Sequence, residues 1–199
     1  RGATKYIVSN DTDIEVTDSD VVASLDSDGF TVGTINSSNT KQYVGWNWKG
    51  DGVSGGTLNE DGSIDSYVNV NTISGFSIVK YTSPGTNNDE TIGHGLSQRP
   101  DMVIVKNLDT TFNWDVWSPF LSSGHDLRLN TNDAQTSGRW STTIPTASLV
   151  TLKDDYEVEE SNEFIAYCFH SIEGYLKVGN YKGNGQADGP FIYTDFSPS

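Results

Sequence analysis

Short stretches in which large apolar residues alternate with small or polar ones recur along the chain, and turn-forming residues separate them. The runs YVGWNWK (residues 43–49) and FIAYCFH (residues 164–170) both place large residues on one face and mostly small residues on the other. Such alternation is typical of β-strands, and no stretch has the periodicity of a long amphipathic helix. The pattern predicts strands at residues 5–8, 29–33, 42–48, 66–69, 76–82, 102–106, 114–117, 126–130, 149–152, 156–158, 163–170, 175–181 and 191–194.

Short strands at this spacing predict an all-β fold with antiparallel strands and little or no helix, arranged as a β-sandwich or as jelly-roll-like repeat modules. The run PDMVIVKN, residues 100–107, predicts a central strand that is apolar on both faces. The small residues on one face of 164–169 indicate a sheet that packs closely against a second layer.

Parts of the chain also resemble one another, which is the mark of a repeat architecture. The matching segments are 1–11 with 123–133, 43–48 with 164–169, and 75–81 with 174–181. Because strand patterns are degenerate, chance similarity is the alternative explanation. The repeat predicts four parts: the second half of one β unit at 1–49, a Gly-rich connection at 50–74, one full unit at 75–170, and the first part of a following unit at 171–199.

This division predicts that both ends of the sequence lie inside repeats. An incomplete unit exposes apolar faces and unpaired sheet edges, which proteins normally cover. We therefore expect another copy of the chain, or residues outside this sequence, to complete the units.

The composition narrows the classes of partner. Twelve Lys and Arg against 27 Asp and Glu give a net charge of −15, which repels phosphate backbones and anionic lipid headgroups. Nucleic-acid binding and membrane insertion are therefore not expected. Cys168 is the only cysteine, which excludes an intrachain disulfide and predicts a small buried apolar side chain.

Several longer motifs resemble a known family. The motifs are RGATKYIVSNDTDIEVTDSD, LDSDGFTVG, YVGWNWKGDG, GFSIVKYTSPGT, TIGHGLSQRPDMVIVKN, FIAYCFHSIEGY and GNYKGNGQADGPFIYT. In this order they resemble a repeated β-rich domain of marine tailed-phage virion structural proteins, of the tail fibre or appendage type. In place of that family's usual TGNG-like turn the chain has SPGTNNDET at 83–91, which leaves the shape of this loop open.

The resemblance implies an extracellular location on the virion, at the tail or the capsid surface. It also implies a homo-oligomer in contact with other virion proteins, and a trimer is a frequent form among phage fibres. It implies no defined catalytic residues.

The polar residues do not form a recognisable catalytic or metal motif. The residue before Asp126 is His125, but neighbours in a strand point to opposite faces, so the two do not make a triad. His94, between two glycines, predicts a hydrogen-bonded turn residue, and His170 is expected to face solvent. The acidic clusters at 11–13, 18–20 and 26–29 lack the spacing of a calcium loop and predict turns capped by aspartate. We predict no catalytic residue, no metal ligand and no cofactor.

The run FNWDVWSPF, residues 112–120, combines tryptophan with Asn and Asp, a mixture that sugar sites use for ring stacking and hydroxyl recognition. It predicts the glycan-binding residues Asn113, Trp114, Asp115, Trp117 and, from the polar run SGRWST, Trp140. Trp140 is the aromatic residue most expected to be exposed. In the alternative interpretation one tryptophan lies in the core and another covers the rim of a sheet.

Taken together, these features predict a non-enzymatic phage virion structural protein, a tail fibre or appendage that contributes to host attachment through a surface glycan or receptor. The alternative is a capsid decoration or structural protein without receptor contact. A third possibility is a polysaccharide depolymerase, for which a pair of carboxylates would have to flank the sugar.

Overall fold

The computed structural model describes residues 2–34, 40–154 and 161–198, and the regular structure in these ranges is β, without α-helix. The predicted all-β fold is therefore confirmed. The strands are β1 (Lys5–Tyr6), β2 (Val16–Thr17), β3 (Val22–Leu25), β4 (Phe30–Val32), β5 (Thr57–Asn59), β6 (Ser66–Asn71), β7 (Phe76–Thr82), β8 (Glu90–Gly93), β9 (Met102–Asn107), β10 (Asp115–Trp117), β11 (His125–Arg128), β12 (Thr136–Ser137), β13 (Leu149–Leu152) and β14 (Glu163–Phe169). These ranges contain no helix long and apolar enough to cross a membrane.

The largest element is an eight-stranded antiparallel sheet in the order β12-β11-β10-β9-β14-β7-β6-β5. Its centre is β14, in which Ala166 pairs with Val79 of β7 on one side and with Val105 of β9 on the other. β1 pairs with β2 and β3 with β4 as separate two-stranded sheets. The alternating EFIAYCF sequence thus forms the strand that joins the two halves of the main sheet.

A second sheet, β13 paired with β8, packs over one face of the main sheet and makes the molecule a β-sandwich. We call the covered face the inner face. The core between the layers consists of Ile64, Val68, Val79, Tyr81, Ile92, Leu96, Val103, Val105, Trp117, Trp140, Val150, Leu152, Phe164, Ala166 and Cys168.

The alternation in β14 explains why the layers approach closely. Phe164, Ala166 and Cys168 point to the inner face and are all buried, and two of the three are small enough to admit the second sheet. The Phe164 ring stacks on Tyr81 of β7 at 5.2 Å between centroids. Burial raises the pKa of the Cys168 thiol to about 12, so the prediction of a small buried side chain is confirmed.

The N-terminal segment covers part of the opposite, outer face. The Trp114 indole Nε1–H donates to the backbone carbonyls of Val8 and Asp11, both at 3.1 Å. Lys106 is fully buried, and its ammonium donates to the carbonyl of Thr12 at 3.2 Å. Burial lowers the pKa of Lys106. Polar contacts therefore hold residues 8–12 against the sheet, from Lys106 of β9 and from Trp114, which directly precedes β10.

Three of the predicted strands are wrong. Residues 42–48, 175–181 and 191–194 form no strand, although their alternation matches that of strands in the sheet. Alternation shows only that a segment could bury one face; a strand also requires a neighbour with free backbone groups. The predicted strand at 156–158 lies outside the described residues.

The predicted Gly-rich connection at 50–74 is wrong over most of its length. It contains β5 and β6, which pair with each other and extend the main sheet from β7. The glycines mislead because Gly55 and Gly56, both with φ of +91°, belong to the turn that precedes β5 rather than to a linker. The sheet built around residues 76–169 therefore requires strands from the segment before it.

Candidate functional site

The tryptophans predicted to bind glycan lie in the interior. Trp140 is only 1% exposed and stacks on Trp117, with ring centroids 6.3 Å apart. Trp114 is buried beneath the N-terminal segment and stacks on Tyr167 at 6.4 Å. Stacking on a sugar requires an open ring face, and these rings have none. The expectation that Trp140 is exposed is therefore wrong, and the alternative of a core tryptophan is the one observed.

The structure also divides the predicted residues between the two faces of the main sheet. Asp115 and Trp117 point to the inner face of β10, whereas Trp114 lies against the outer face. The Asn113 side-chain carbonyl accepts a hydrogen bond from the Asn130 amide at 2.9 Å. Trp114 and Asp115 are neighbours in the sequence but lie on opposite faces of one sheet. The five residues therefore do not form one binding surface.

A buried acidic pair occupies the inner face near one edge of the sheet. Asp115 on β10 and Asp126 on β11 are both buried. The Thr136 hydroxyl donates to Asp126 Oδ1 at 2.8 Å. Arg139 Nε lies 3.7 Å from Asp115 Oδ1 and 3.9 Å from Asp126 Oδ2. One guanidinium therefore faces two carboxyl groups.

The surroundings of Asp115 raise the pKa of its carboxyl group. Burial, reinforced by the charge of Asp126 and a hydrogen bond to it, raises the pKa of Asp115 to about 7 against the opposing effect of Arg139 and Arg128. A neighbouring carboxylate and a poorly solvated site both disfavour the charged form of Asp115. Both carboxyl groups are buried, so their charges affect the stability of the fold. The signal in the sequence is same-face alternation in DVW and HDLR, which becomes informative only once β10 and β11 are known to pair.

Two of the three histidines lie in the interior. His94 is fully buried; its Nδ1 accepts from the Leu96 backbone N–H at 3.1 Å and its Nε2 lies 3.3 Å from the Thr146 carbonyl. The predicted hydrogen bonding of His94 is confirmed, but the residue directly follows β8 and does not form a turn. Burial lowers the pKa of His94. The expectation that His170 faces solvent is wrong, because it is buried with Nδ1 at 3.0 Å from the Ser171 carbonyl.

The acidic clusters behave as turns. The Asp20 backbone N–H donates to Asp18 Oδ1 at 2.8 Å, and Asp26 Oδ2 accepts from the hydroxyls of Ser24 and Thr31 at 3.3 and 3.2 Å. Across residues 2–34, 40–154 and 161–198, no three His, Cys, Asp or Glu side chains gather as a metal site would require.

A surface cavity of about 410 Å³ lies on the outer face. Its walls include Lys5, Glu15, Tyr67, Asn69, Lys80 and Ile165. Both lysines are held by ion pairs of 2.7 Å, Lys5 to Glu15 and Lys80 to Glu163. The wall of the cavity is therefore partly apolar, and its two lysines are paired with carboxylates.

The most unusual surface is formed by two exposed apolar stretches. The first segment, residues 42–48, has Val44 and Trp46 each 81% exposed. The second segment, residues 174–181, ends in Tyr181, which is 70% exposed. The Trp48 ring lies 5.9 Å from that of Phe169, which holds one end of the first segment against β14. Large contiguous apolar patches on a protein surface are typical of interaction sites.

Comparison with known proteins identifies the family. The whole chain, residues 1–199, matches the family described as a domain of unknown function, DUF7483, and the chain belongs to it. No curated protein and no solved structure matches the chain.

Proposed function

We propose that this member of the DUF7483 family is a non-enzymatic structural module of a phage virion, in a tail fibre or comparable appendage, which assembles with copies of itself and contributes to host attachment. The observation that carries the proposal is the contrast between a sealed interior and two exposed apolar segments. Asp115, Asp126, His94 and His170 are buried, whereas the large apolar side chains of the two segments are on the surface.

The buried groups support a role without turnover. A glycosidase needs two carboxyl groups open to the substrate and about 5–10 Å apart. Asp115 and Asp126 are in hydrogen-bonding proximity and buried, so no sugar ring fits between them. His94 and His170 are buried as well, which removes them from reach of a substrate.

The surface supports association. Val44, Trp46 and Tyr181 expose area that is costly to leave in contact with water. A partner that covers these three side chains removes their apolar surface from water, which favours binding. The sequence motifs resemble a repeated domain of tailed-phage appendages, which supports a location on the virion. A β-sandwich with polar loops suits a structural role in such an appendage.

The experiment is immuno-electron microscopy of intact virions with antibody against the purified chain. Label along the tail or its fibres supports the proposal, whereas label confined to the capsid shell supports a capsid decoration protein instead. Absence of label from virions, with label on lysed cells as the positive control, would overturn the virion assignment.

The host-attachment part is tested separately with purified chain and host surface polysaccharide. Retention of the chain on immobilised polysaccharide, or competition with virion adsorption, supports attachment. Size-exclusion analysis of the polysaccharide after incubation tests for cleavage. A shift to smaller fragments would contradict the non-enzymatic proposal.

A further inference from the structure

The two exposed segments match the pattern of large and small residues in two strands that pair at the centre of the main sheet. Residues 43–48, YVGWNW, correspond one to one with 164–169, FIAYCF, in β14. Residues 174–181, GYLKVGNY, correspond to 75–81, GFSIVKY, which contain β7, with one additional residue. β14 and β7 pair antiparallel along their whole length, from Glu163 with Thr82 to Phe169 with Phe76.

Neither segment takes part in a β-ladder in the described ranges. The first segment has no strand assignment, and in the second the backbone contact is an isolated bridge between Ile172 and Leu176. Each chain thus carries one β14-like and one β7-like stretch whose counterparts elsewhere in the molecule are mutual partners.

We infer that the first segment of one copy pairs antiparallel with the second segment of another copy and rebuilds the β14–β7 strand pair across the interface. The inference deepens the proposed structural role and rests on it, since it specifies how the module would assemble. The register follows from the existing pair. Because Ala166 faces Val79 and Tyr167 faces Ile78, Gly45 would face Val178 and Trp46 would face Lys177.

The side chains suit this register. Ala166 is fully buried at the centre of β14, and its counterpart Gly45 is smaller still. Phe164 stacks on Tyr81 at 5.2 Å, and the corresponding residues, Tyr43 and Tyr181, are both aromatic and exposed. The additional residue near Gly179 is of the kind that a strand pair accommodates as a β-bulge.

The contact joins two different surfaces, so it is head-to-tail. Such interfaces form a closed ring where the rotation between copies closes, and an open fibre where it does not. Strand addition of this type gains backbone hydrogen bonds along the new edge and buries alternate side chains. The two exposed segments are then the two complementary sides of one interface between copies.

The inference is tested by cross-linking two full-length variants. One copy carries Gly45→Cys with an affinity tag and the other carries Val178→Cys without a tag; native Cys168 is buried and does not compete. Under mild oxidation we expect a disulfide-linked mixed pair on a non-reducing gel, at least about tenfold more abundant than with the control Ile73→Cys in place of Gly45→Cys. Ile73 is 84% exposed and lies outside both segments.

Equal cross-linking of the control would overturn the inference, and so would absence of a mixed pair. The double variant, with both cysteines in one chain, tests the alternative that the two segments pair within a single copy. A disulfide closed within one chain at nanomolar concentration, where the mixed pair does not form, would show that the segments pair within a single copy and would contradict pairing between copies.

A second measurement does not depend on disulfide geometry. Light scattering should show that the mass of the native chain rises with concentration, whereas Trp46→Asp stays at the mass of one chain. Ile73→Asp is the matched control and should associate like the native chain. A native chain that remains monomeric at every concentration would refute the inference, yet virion labelling would still test the proposed function independently.

Discussion

Replacing Asp115 with Asn should change how stability depends on pH. The pKa of this carboxyl rises from 3.8 to about 7 in the folded protein, chiefly through burial. A carboxyl whose folded pKa is raised stabilises the fold fully below its unfolded pKa, and this contribution is lost as pH rises through the folded pKa. The contribution of Asp115 is therefore full below about pH 4 and lost by about pH 7.

The magnitude follows from the shift. A difference of roughly three pKa units at about 1.4 kcal/mol per unit gives about 4 kcal/mol of stability lost between those limits. The asparagine side chain of the variant would remain neutral at every pH, and its amide can donate to Asp126 as the protonated acid does. At about pH 4 the variant and the native chain should have similar free energies of unfolding. By about pH 8 the variant should be more stable by up to about 4 kcal/mol.

Urea denaturation of both proteins at several pH values between about 4 and 8 measures this difference directly. Carboxylates far from Asp115 affect both proteins alike, so their effects cancel in the comparison. Asp65→Asn is the matched control, because Asp65 is exposed and its replacement removes the same charge from the surface. A difference between Asp115→Asn and the native chain that does not change with pH, or that changes in the opposite direction, would refute the reasoning.

Three further predictions concern the packing of the sandwich. Phe164→Ala should destabilise the protein by about 3–5 kcal/mol, because this buried ring belongs to the core. The control, Ile73→Ala, should change stability by less than about 0.5 kcal/mol. Similar urea midpoints for the two variants would contradict the assignment of the core. The Cys168 thiol, buried and with its pKa raised to about 12, should react with a thiol reagent at about pH 8 only in denaturant, so rapid labelling of the native protein would count against its burial. Trp114→Phe keeps an aromatic ring but removes two hydrogen bonds to N-terminal carbonyls, so hydrogen exchange should accelerate in residues 8–15, and an unchanged exchange rate would show that these bonds do not hold the segment.

The same alternation had different outcomes in two parts of the chain. Residues 164–169 became the central strand, and residues 43–48, with almost the same pattern, remained exposed without a ladder. The difference is not in the residues. β14 has β7 on one side and β9 on the other, whereas the first segment has no such neighbour in the described ranges.

The tryptophans illustrate the same limit on a smaller scale. The polar neighbours of Trp140 predicted exposure, but one of them, Ser141, is itself buried and donates to Asp89 at 2.6 Å. A polar side chain can line the interior when it finds a partner. The identity of that partner, 52 residues away, is not visible in the local sequence.

The sequence by itself determined the all-β class, the strands at the centre of the sheet, and the small residues that let the second layer approach. These follow from alternation, which is local because successive side chains of a strand point to opposite faces. Only the tertiary structure decided which alternating segments find partners, which face of each tryptophan is covered, and that Asp115 meets Asp126 beside Arg139. Pairing and burial join residues far apart in the chain, so they depend on what the rest of the fold places beside them.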